Sequence, residues 1–272
     1  MKDSDSADQT RSRVWCGEFS LPMQSMGRWH IGPLELWVQH LAGEWRLAWR
    51  SGEELMQQVA RVELNLPIRS PEADMQVYRF SLRETDRPLR LSPALADRPV
   101  VVRPEMPLFI PSGEEVTLFV STTLWVTVSA GSQSPMLIEM PTLRPSDTWF
   151  GPNTRQGELC YASRTLAHTR IEDIVPRPHR AITPVRIRNH GHEPLLLERL
   201  SVPVPLLTLY ENKAGEFWTQ SVLLERSGRD DQARLQLGDA RLPGGMALKQ
   251  IGVPRQIDDD SSVFRALSRF FG

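Results

Sequence analysis

The sequence predicts an all-β protein that contains two sandwich-like modules, immunoglobulin-like or jelly-roll-like in type, and ends in a short helix. Three observations lead to this prediction. Apolar residues recur in short runs with the two-residue period of strands. Glycine and proline separate these runs at close intervals, as in the connections of β-sandwiches. No unit of roughly 20 to 50 residues repeats along the chain, so solenoid and propeller architectures are not expected.

The charge of the chain limits the partners that it can attract. Of its 272 residues, 32 are basic and 33 are acidic, which gives a formal net charge of −1. A chain this close to neutral has no overall field that draws in nucleic acid or an anionic membrane surface. We therefore expect no nucleic-acid partner.

The cysteines and the N-terminal residues indicate the compartment. Cys16 and Cys160 are too few for a disulfide framework and are not spaced as zinc ligands. Residues 1–12 are polar and lack apolar periodicity, so we expect a disordered arm there, with neither a secretory signal nor a membrane anchor. No apolar stretch approaches the length of a membrane span. These features predict unpaired thiols and a soluble cytoplasmic protein with no direct membrane span.

The first predicted module covers residues 13–148. Its clearest signal is a hairpin, in which residues 34–38 and 45–49 are joined through a turn at Ala42 and Gly43. The tryptophans at alternate positions of these strands are expected in the core. Further runs of β-branched and aromatic residues predict strands at 76–82, 116–120, 124–128 and 136–140.

The second predicted module covers residues 149–257. Residues 185–188 and 195–197 flank the turn-forming Asn189 and Gly191, which predicts a hairpin with a positive φ at the glycine. Residues 202–205 alternate valine and proline, and proline cannot donate to a central ladder. This segment therefore predicts an edge strand or a kinked connection. Other strands are expected at 206–210, 217–224 and 233–237.

The last predicted element is an amphipathic helix within residues 258–272. Leu267 and Phe270 share one face of this helix, and Phe264 lies at its edge. So short a helix does not persist alone in water, so its aromatic face must pack on its own domain or on a partner. We favour packing on its own domain, and these three residues are candidates for partner binding.

The densest polar chemistry lies in residues 149–165, where turn-forming residues lead into an alternating strand. Asn153, Arg155 and Glu158 at the strand entry, with Arg164 further along, are the candidate ligand-binding or partner-binding residues. An ordinary hairpin loop has the same composition, and it is the simpler interpretation.

A run of basic residues is the most unusual local charge feature. It comprises Arg164, Arg170, Arg177, Arg180, Arg186 and Arg188. Gathered on one face, these side chains could bind an anion or an acidic partner. Spread over two strands, they form a solvated face with cross-strand ion pairs, which is the interpretation we favour.

Each candidate for catalysis or metal binding also has a structural interpretation. Cys160 with His168 could form a nucleophile and its base, but an apolar strand favours a buried thiol. His190 and His192 could bind a metal, but they flank a turn glycine. The sequence contains no phosphate-binding loop and no dinucleotide-binding turn. We therefore predict no catalytic residues, no metal site and no cofactor.

Three segments and the phenylalanine-rich end carry a family resemblance. Residues 31–38, 44–48 and 157–161 resemble an uncharacterised prokaryotic family of domains of unknown function, and the resemblance spans nearly the whole chain. Genes of this family often lie near mechanosensitive channels of the small-conductance type. The resemblance implies a partner of such a channel and assigns no catalytic residues.

Together these observations predict a non-enzymatic binding or regulatory subunit that partners a membrane channel. The alternative is a hydrolase that acts on a carbohydrate or an ester through the 149–168 loop. A pocket that gathers the polar residues of this loop around a strongly shifted pKa would favour the enzyme. A flat exposed apolar patch that includes the C-terminal aromatic residues would favour the binding subunit.

Overall fold

A computed structural model describes residues 14–52, 60–82, 87–130, 136–151, 153, 155, 157–226, 232–238, 247–257 and 262–266. The chain is all-β, as predicted, because these residues form 23 strands and no α-helix. The strands are β1 (Gly17–Phe19), β2 (Ser25–Ile31), β3 (Leu34–Leu41), β4 (Glu44–Ser51), β5 (Ala60–Leu66), β6 (Gln76–Ser81), β7 (Leu89–Ala94), β8 (Val100–Pro104), β9 (Leu108–Ile110), β10 (Glu115–Thr123), β11 (Trp125–Ala130), β12 (Met136–Pro141), β13 (Ser146–Phe150), β14 (Glu158–Ala167), β15 (Arg180–Asn189), β16 (Leu195–Leu197), β17 (Leu200–Val202), β18 (Leu209–Glu211), β19 (Phe217–Thr219), β20 (Val222–Arg226), β21 (Gln232–Leu237), β22 (Lys249–Gln250) and β23 (Ser262–Ala266).

These strands belong to two compact units, and each unit is assembled from separate stretches of chain. Unit 1 comprises Met1–Ala94, Leu124–Arg144 and Arg177–His179. Unit 2 comprises Leu95–Thr123, Pro145–Pro176 and Arg180–Gly272. The chain therefore passes from one unit to the other several times.

The five-stranded sheet of unit 1 follows the predicted hairpin pattern. It has the order β5-β2-β3-β4-β6. β3 and β4 pair across Ala42 and Gly43, and the positive φ of 74° at Gly43 suits a tight two-residue turn. β2 and β3 pair in the same way across Gly32 and Pro33, where Gly32 has a φ of 57°. The hairpin predicted at 34–49 is confirmed.

Tryptophans fill the inner face of this sheet, as the alternation predicts. Trp29 and Trp45 are almost completely buried. Trp29 meets Phe19 of β1 edge to face, with ring centroids 5.2 Å apart. Because β1 belongs to the other sheet of unit 1, ordered β1-β7-β11-β12, this contact joins the two sheets. Unit 1 is therefore sandwich-like, with large aromatic side chains in its core.

A three-residue stretch, Arg177–His179, completes the interior of unit 1. Trp15 donates its indole N–H to the carbonyl oxygen of Pro178 at 2.9 Å. The buried hydroxyl of Thr142 donates to the carbonyl oxygen of His179 at 3.4 Å. Because these backbone carbonyls have partners in the core, the stretch is anchored there.

β15 is the centre of the largest sheet of unit 2. This sheet has the order β22-β18-β19-β15-β20-β21-β23, and β10 also pairs with β15. Pro184 lies within β15, although proline is rare in central strands. It falls between Ile182, which pairs with β19, and Val185, which pairs with β20. Pro184 is itself paired with neither β19 nor β20, so its missing N–H removes no hydrogen bond from these two parallel pairings.

Unit 2 also contains a four-stranded sheet, β13-β14-β8-β17, and a two-stranded sheet, β16-β9. β17 lies at the edge of its sheet and is followed by a single 3-10 turn at Val204–Leu206. This arrangement confirms the edge strand and the kinked connection that the prolines of residues 202–205 predicted.

The predicted hairpin between residues 185–188 and 195–197 is wrong. β15 pairs with β10, β19 and β20, whereas β16 pairs with β9. The buried amide of Asn189 explains the difference, because its Nδ2 donates to the carbonyl oxygen of Ile110 in β9 at 2.9 Å. Its Oδ1 accepts from the N–H of Gly191 at 2.9 Å, and the φ of this glycine is not positive. Asn189 thus ties the connection to β9 instead of closing a tight turn.

The predicted C-terminal helix is also wrong in the part that the structure describes. Residues 262–266 form β23, which pairs antiparallel with β21. A helix of about ten residues has little stability of its own. Pairing with β21 satisfies the backbone N–H and C=O groups of this segment instead. Phe264 lies in β23, whereas Leu267 and Phe270 lie outside the described residues.

Candidate functional site

The β13–β14 hairpin of unit 2 carries the central stretch that the sequence singled out. The two strands pair antiparallel across residues 151–157, which confirms the predicted loop and the strand after it. The register places Trp149 opposite Leu159 on one face and Thr148 opposite Cys160 on the other. Directly opposite residues of an antiparallel pair share a face, so the two faces of the hairpin have different compositions.

Trp149 is exposed and yet fixed in position. Its side chain is 45% exposed, and its indole N–H donates to the carbonyl oxygen of Asn153 at 2.9 Å. The indole also covers Gly157, where an added Cβ would lie 2.7 Å from Nε1. Leu159, directly opposite, is 45% exposed as well. These two side chains form an exposed apolar pair, which we call the Trp149 platform.

A polar network borders the Trp149 platform. Asp147, two residues before the tryptophan on the same strand face, accepts from Nη1 of Arg98 at 3.1 Å. The Arg98 guanidinium lies over the ring of Tyr161, 5.2 Å from its centroid. The hydroxyl of Tyr161 donates to Asp97 at 3.0 Å. Burial first, and then this hydrogen bond, raises the pKa of Tyr161 above its ordinary value, so the phenol stays a neutral donor.

The opposite face of the hairpin belongs to the core. Cys160 and Phe150 form a buried cluster with Val101. Burial, followed by the charge of Glu158, raises the pKa of the Cys160 thiol to about 11. At neutral pH the thiol is therefore protonated and a poor nucleophile. The interpretation of Cys160 as a small core residue is confirmed.

The two cysteines are expected to differ in their reactivity with iodoacetamide. Neither thiol forms a disulfide, as predicted; Cys16 is partly exposed and Cys160 is buried. The native protein should therefore gain one adduct rapidly and a second only after unfolding, which intact-mass measurement over time would show. A Cys16→Ser variant is the control and should remain unmodified while folded. Rapid alkylation of this variant would contradict the burial of Cys160.

The structure brings together part of the predicted residue set. Asn153 and Arg155 lie in the loop that leads to Glu158, and Oδ1 of Asn153 accepts from the backbone N–H of Arg155 at 2.9 Å. The Arg155 side chain is exposed, and Glu158 is half-buried at the start of β14. Arg164 is exposed further along β14, and Phe264 lies in β23. The amide of Asn153 thus shapes the loop through a local turn.

The sequence analysis did not predict the exposed pair of Trp149 and Leu159, because it expected tryptophans on strands to lie in the core. A usable signal was present in the adjacency of Trp149 and Phe150 within one strand. Successive residues of a strand point to opposite faces, so a sheet with one buried face can bury only one of them. The structure buries Phe150 and exposes Trp149.

The basic run is divided among several elements, because Arg180, Arg186 and Arg188 lie in β15, Arg164 lies in β14 of another sheet, and Arg177 belongs to unit 1. Arg188 pairs across strands with Glu115 at 2.8 Å and with Glu225 at 2.9 Å. Arg180 is buried instead, where its guanidinium donates to the hydroxyls of Ser121 and Thr123. The contacts of Arg188 support the interpretation of the basic residues as members of cross-strand ion pairs. Arg180 is a buried arginine that the sequence did not predict.

The part of the chain that the structure describes contains neither a metal-ligand cluster nor a membrane-spanning helix. No group of three or more His, Cys, Asp or Glu residues there is arranged to hold a metal ion. The helical segments of that part include none of the length and apolar character needed to cross a membrane.

Comparison with known proteins identifies the family of this chain and nothing more specific. A family described as a protein of unknown function, DUF432, matches residues 15–271. No curated protein and no solved structure gives a significant match. The family match covers almost the entire chain and agrees with the resemblance carried by residues 31–38, 44–48 and 157–161. The chain therefore belongs to the DUF432 family of proteins of unknown function.

Proposed function

We propose that this protein is a non-enzymatic binding subunit that engages a partner protein through the Trp149 platform. The observation that carries the proposal is the fixed position of the exposed Trp149 ring, held by Asn153 and packed on Gly157. A ring that is already immobile loses little conformational entropy when a partner covers it. Tryptophan, tyrosine and arginine are also the residues most enriched at binding hot spots.

The surroundings of the platform favour a protein as the partner. Leu159 extends the apolar area, and Arg98 and Asp147 supply a polar rim. Protein interfaces commonly have an apolar centre of this kind within a polar border. The burial and raised pKa of Cys160 disfavour this thiol as a hydrolase nucleophile. The partner we propose is a membrane channel of the small-conductance mechanosensitive type, in line with the family resemblance.

Replacing Trp149 by alanine is expected to weaken partner binding at least about tenfold, because truncating a hot-spot tryptophan typically costs 2 kcal/mol or more. The unfolding temperature should change little, since the side chain is half exposed. The measurement is quantitative co-purification of the tagged full chain with such a channel in mild detergent, with differential scanning calorimetry to check the fold.

Ile257→Ala is the matched control, because this side chain of unit 2 is also apolar and exposed. It should retain the channel as well as the unmodified protein does. Equal retention by Trp149→Ala and Ile257→Ala would contradict the role of the platform. A wild-type protein that retains no channel would contradict the choice of partner.

A further inference from the structure

β6 forms one edge of the five-stranded sheet of unit 1. It stands last in the strand order, and among the described residues it pairs with β4 alone. The pairing with β4 runs from Gln76 to Ser81 without a register shift. The strand contains no proline, and all of its residues except Phe80 are exposed. A regular and exposed edge of this kind can add a further strand.

One backbone hydrogen bond fixes the direction of the polar groups of β6. The N–H of Leu82, directly after the strand, donates to the carbonyl oxygen of Gly43, directly before β4, at 3.4 Å. Because alternate residues of a strand direct their backbone groups to the same side, Val77, Arg79 and Ser81 direct theirs away from β4. These N–H and C=O groups meet no backbone partner in the part of the chain that the structure describes. The edge therefore offers alternating donors and acceptors to another strand.

The opposite edge of the same sheet is protected against such an addition. The pairing of the edge strand β5 with β2 shifts its register between Met26 and Arg28. Asn65 of β5 lies in this irregular part and has a φ of 58°, in the left-handed region. Bulges of this kind twist an edge strand and prevent it from pairing further. β6 has no such device, so it is the edge of this sheet at which a strand can add.

The charge of β6 suits a meeting with its own copy. Arg79 is the one charged residue of the strand, and its Nε donates to Oε2 of Glu44 in β4 at 3.0 Å. This hydrogen bonding is the largest cause that lowers the pKa of Glu44 below its ordinary value, so the carboxylate stays ionised. The charge of Arg79 is thus compensated within its own chain. Two copies can approach without repulsion, whereas a charged segment of another protein finds no uncompensated charge here.

We propose that two copies of this chain associate by antiparallel pairing of β6 with β6, which joins their five-stranded sheets across a two-fold axis. Val77 of each copy exchanges backbone hydrogen bonds with Arg79 of the other. Tyr78 then lies opposite Tyr78 of the second copy, in a closely spaced pair where two aromatic rings stabilise each other. The next register along the strand would place Arg79 opposite Arg79, and like charges directly opposite each other are destabilising.

The side chains that this pairing uses are accessible. Val77 is 46% exposed and Tyr78 is 43% exposed. Six-residue strands bury less surface than the roughly 1,200 to 2,000 Å² of stable interfaces, so the dimer should be weak and depend on protein concentration. The surface belongs to unit 1, and the proposal does not rest on the Trp149 platform of unit 2.

Sedimentation equilibrium of the full chain tests this proposal at protein concentrations from roughly 5 to 500 μM. The weight-average mass should rise from the 31.0 kDa of one chain toward twice that value. Val77→Pro should weaken association about tenfold or more, because it removes an N–H from the new pairing and none from the ladder with β4. Val77→Thr keeps this N–H, so it is the matched control and should associate as the wild type does.

Charge substitutions at Tyr78 test the register. Tyr78→Lys and Tyr78→Glu each place like charges opposite each other beside the two-fold axis. Each variant alone should therefore stay near 31.0 kDa over the same concentrations. An equimolar mixture of the two variants should recover the dimer, because the substituted side chains then carry opposite charges.

Three results would overturn the proposal. The first is a wild-type mass that stays at 31.0 kDa over the whole range. The second is undiminished association of Val77→Pro or of Tyr78→Lys, which would place the dimer interface elsewhere. The third is a mixture of the two Tyr78 variants that remains monomeric. Thermal unfolding checks the fold of every variant, and if Val77→Pro does not fold, the Tyr78 variants and their mixture decide the question.

Discussion

Replacing Gly32 by alanine is expected to lower the free energy of unfolding by about 3 kcal/mol, which corresponds to a fall in Tm of roughly 6 to 12 °C. Gly32 has a φ of 57°, in the left-handed region that favours glycine. An added Cβ would also overlap the imidazole of His179, 2.5 Å from its Cγ. His179 is buried, and its carbonyl oxygen accepts from the N–H of Leu124 at 2.9 Å, so the ring cannot move away freely. Calorimetry of the purified full chain measures the effect.

Gly43→Ala is the matched control for this substitution. Gly43 occupies the next hairpin turn of the same sheet and also has a positive φ, of 74°. A Cβ added there meets no atom within 4 Å, so Gly43→Ala should cost only the backbone strain, about 1 kcal/mol. The difference between the two variants measures the overlap with His179. Equal losses of stability for both would show that Gly32 is not packed against the ring.

Replacing Glu35 by glutamine is expected to cost about 2 kcal/mol of stability at neutral pH, because Arg28 and Arg50 lose their shared carboxylate. The two arginines are 35% and 30% exposed, which keeps the loss below that of a fully buried ion pair. Burial acts to raise the pKa of Glu35, but hydrogen bonds from Trp37 and Arg50 and the charge of Arg28 outweigh it. The pKa therefore lies below its ordinary value of 4.5.

The pH dependence of the Glu35→Gln effect has a defined sign. A carboxyl group whose pKa is lower in the folded protein stabilises the fold above its unfolded pKa and loses this contribution as the pH falls through its folded pKa. The difference in Tm between the wild type and Glu35→Gln should therefore be largest near neutral pH and shrink below pH 4.5. Glu115→Gln, which removes a more exposed partner of Arg188, is the control and should alter Tm little. A pH-independent difference would contradict an ionised Glu35.

Local sequence patterns predicted many of the strands, though not all of them. The alternation in β3 and β4 and the turn at Ala42 and Gly43 placed that hairpin correctly. The β-branched run at 116–120 and the valine–proline alternation at 202–205 were also interpreted correctly. In these cases the deciding interactions are turn chemistry and side-chain direction, which act over a few residues.

The functional surfaces could be predicted only in part. The loop at 151–157 was located from its turn-forming residues, but the outward direction of Trp149 follows from which hairpin face packs on Val101. The ion-pair cluster around Arg50 was not predictable, because Glu35, Glu72 and Asp74 are 15 to 24 residues away from it in the sequence and reach it only through the fold. The order of charged residues along the chain does not indicate which of them become neighbours in the folded protein.

By itself, the sequence determined the all-β class, the positions of most strands and the chemistry of their turns. Only the tertiary structure decided that β16 pairs with β9, that residues 262–266 join β21 as a strand, and that Arg177–His179 lies inside unit 1. The physical reason is that strand pairing is non-local. Its free energy depends on the apolar surface and the backbone hydrogen bonds that distant segments complete together, and this total can override the propensity of any short window.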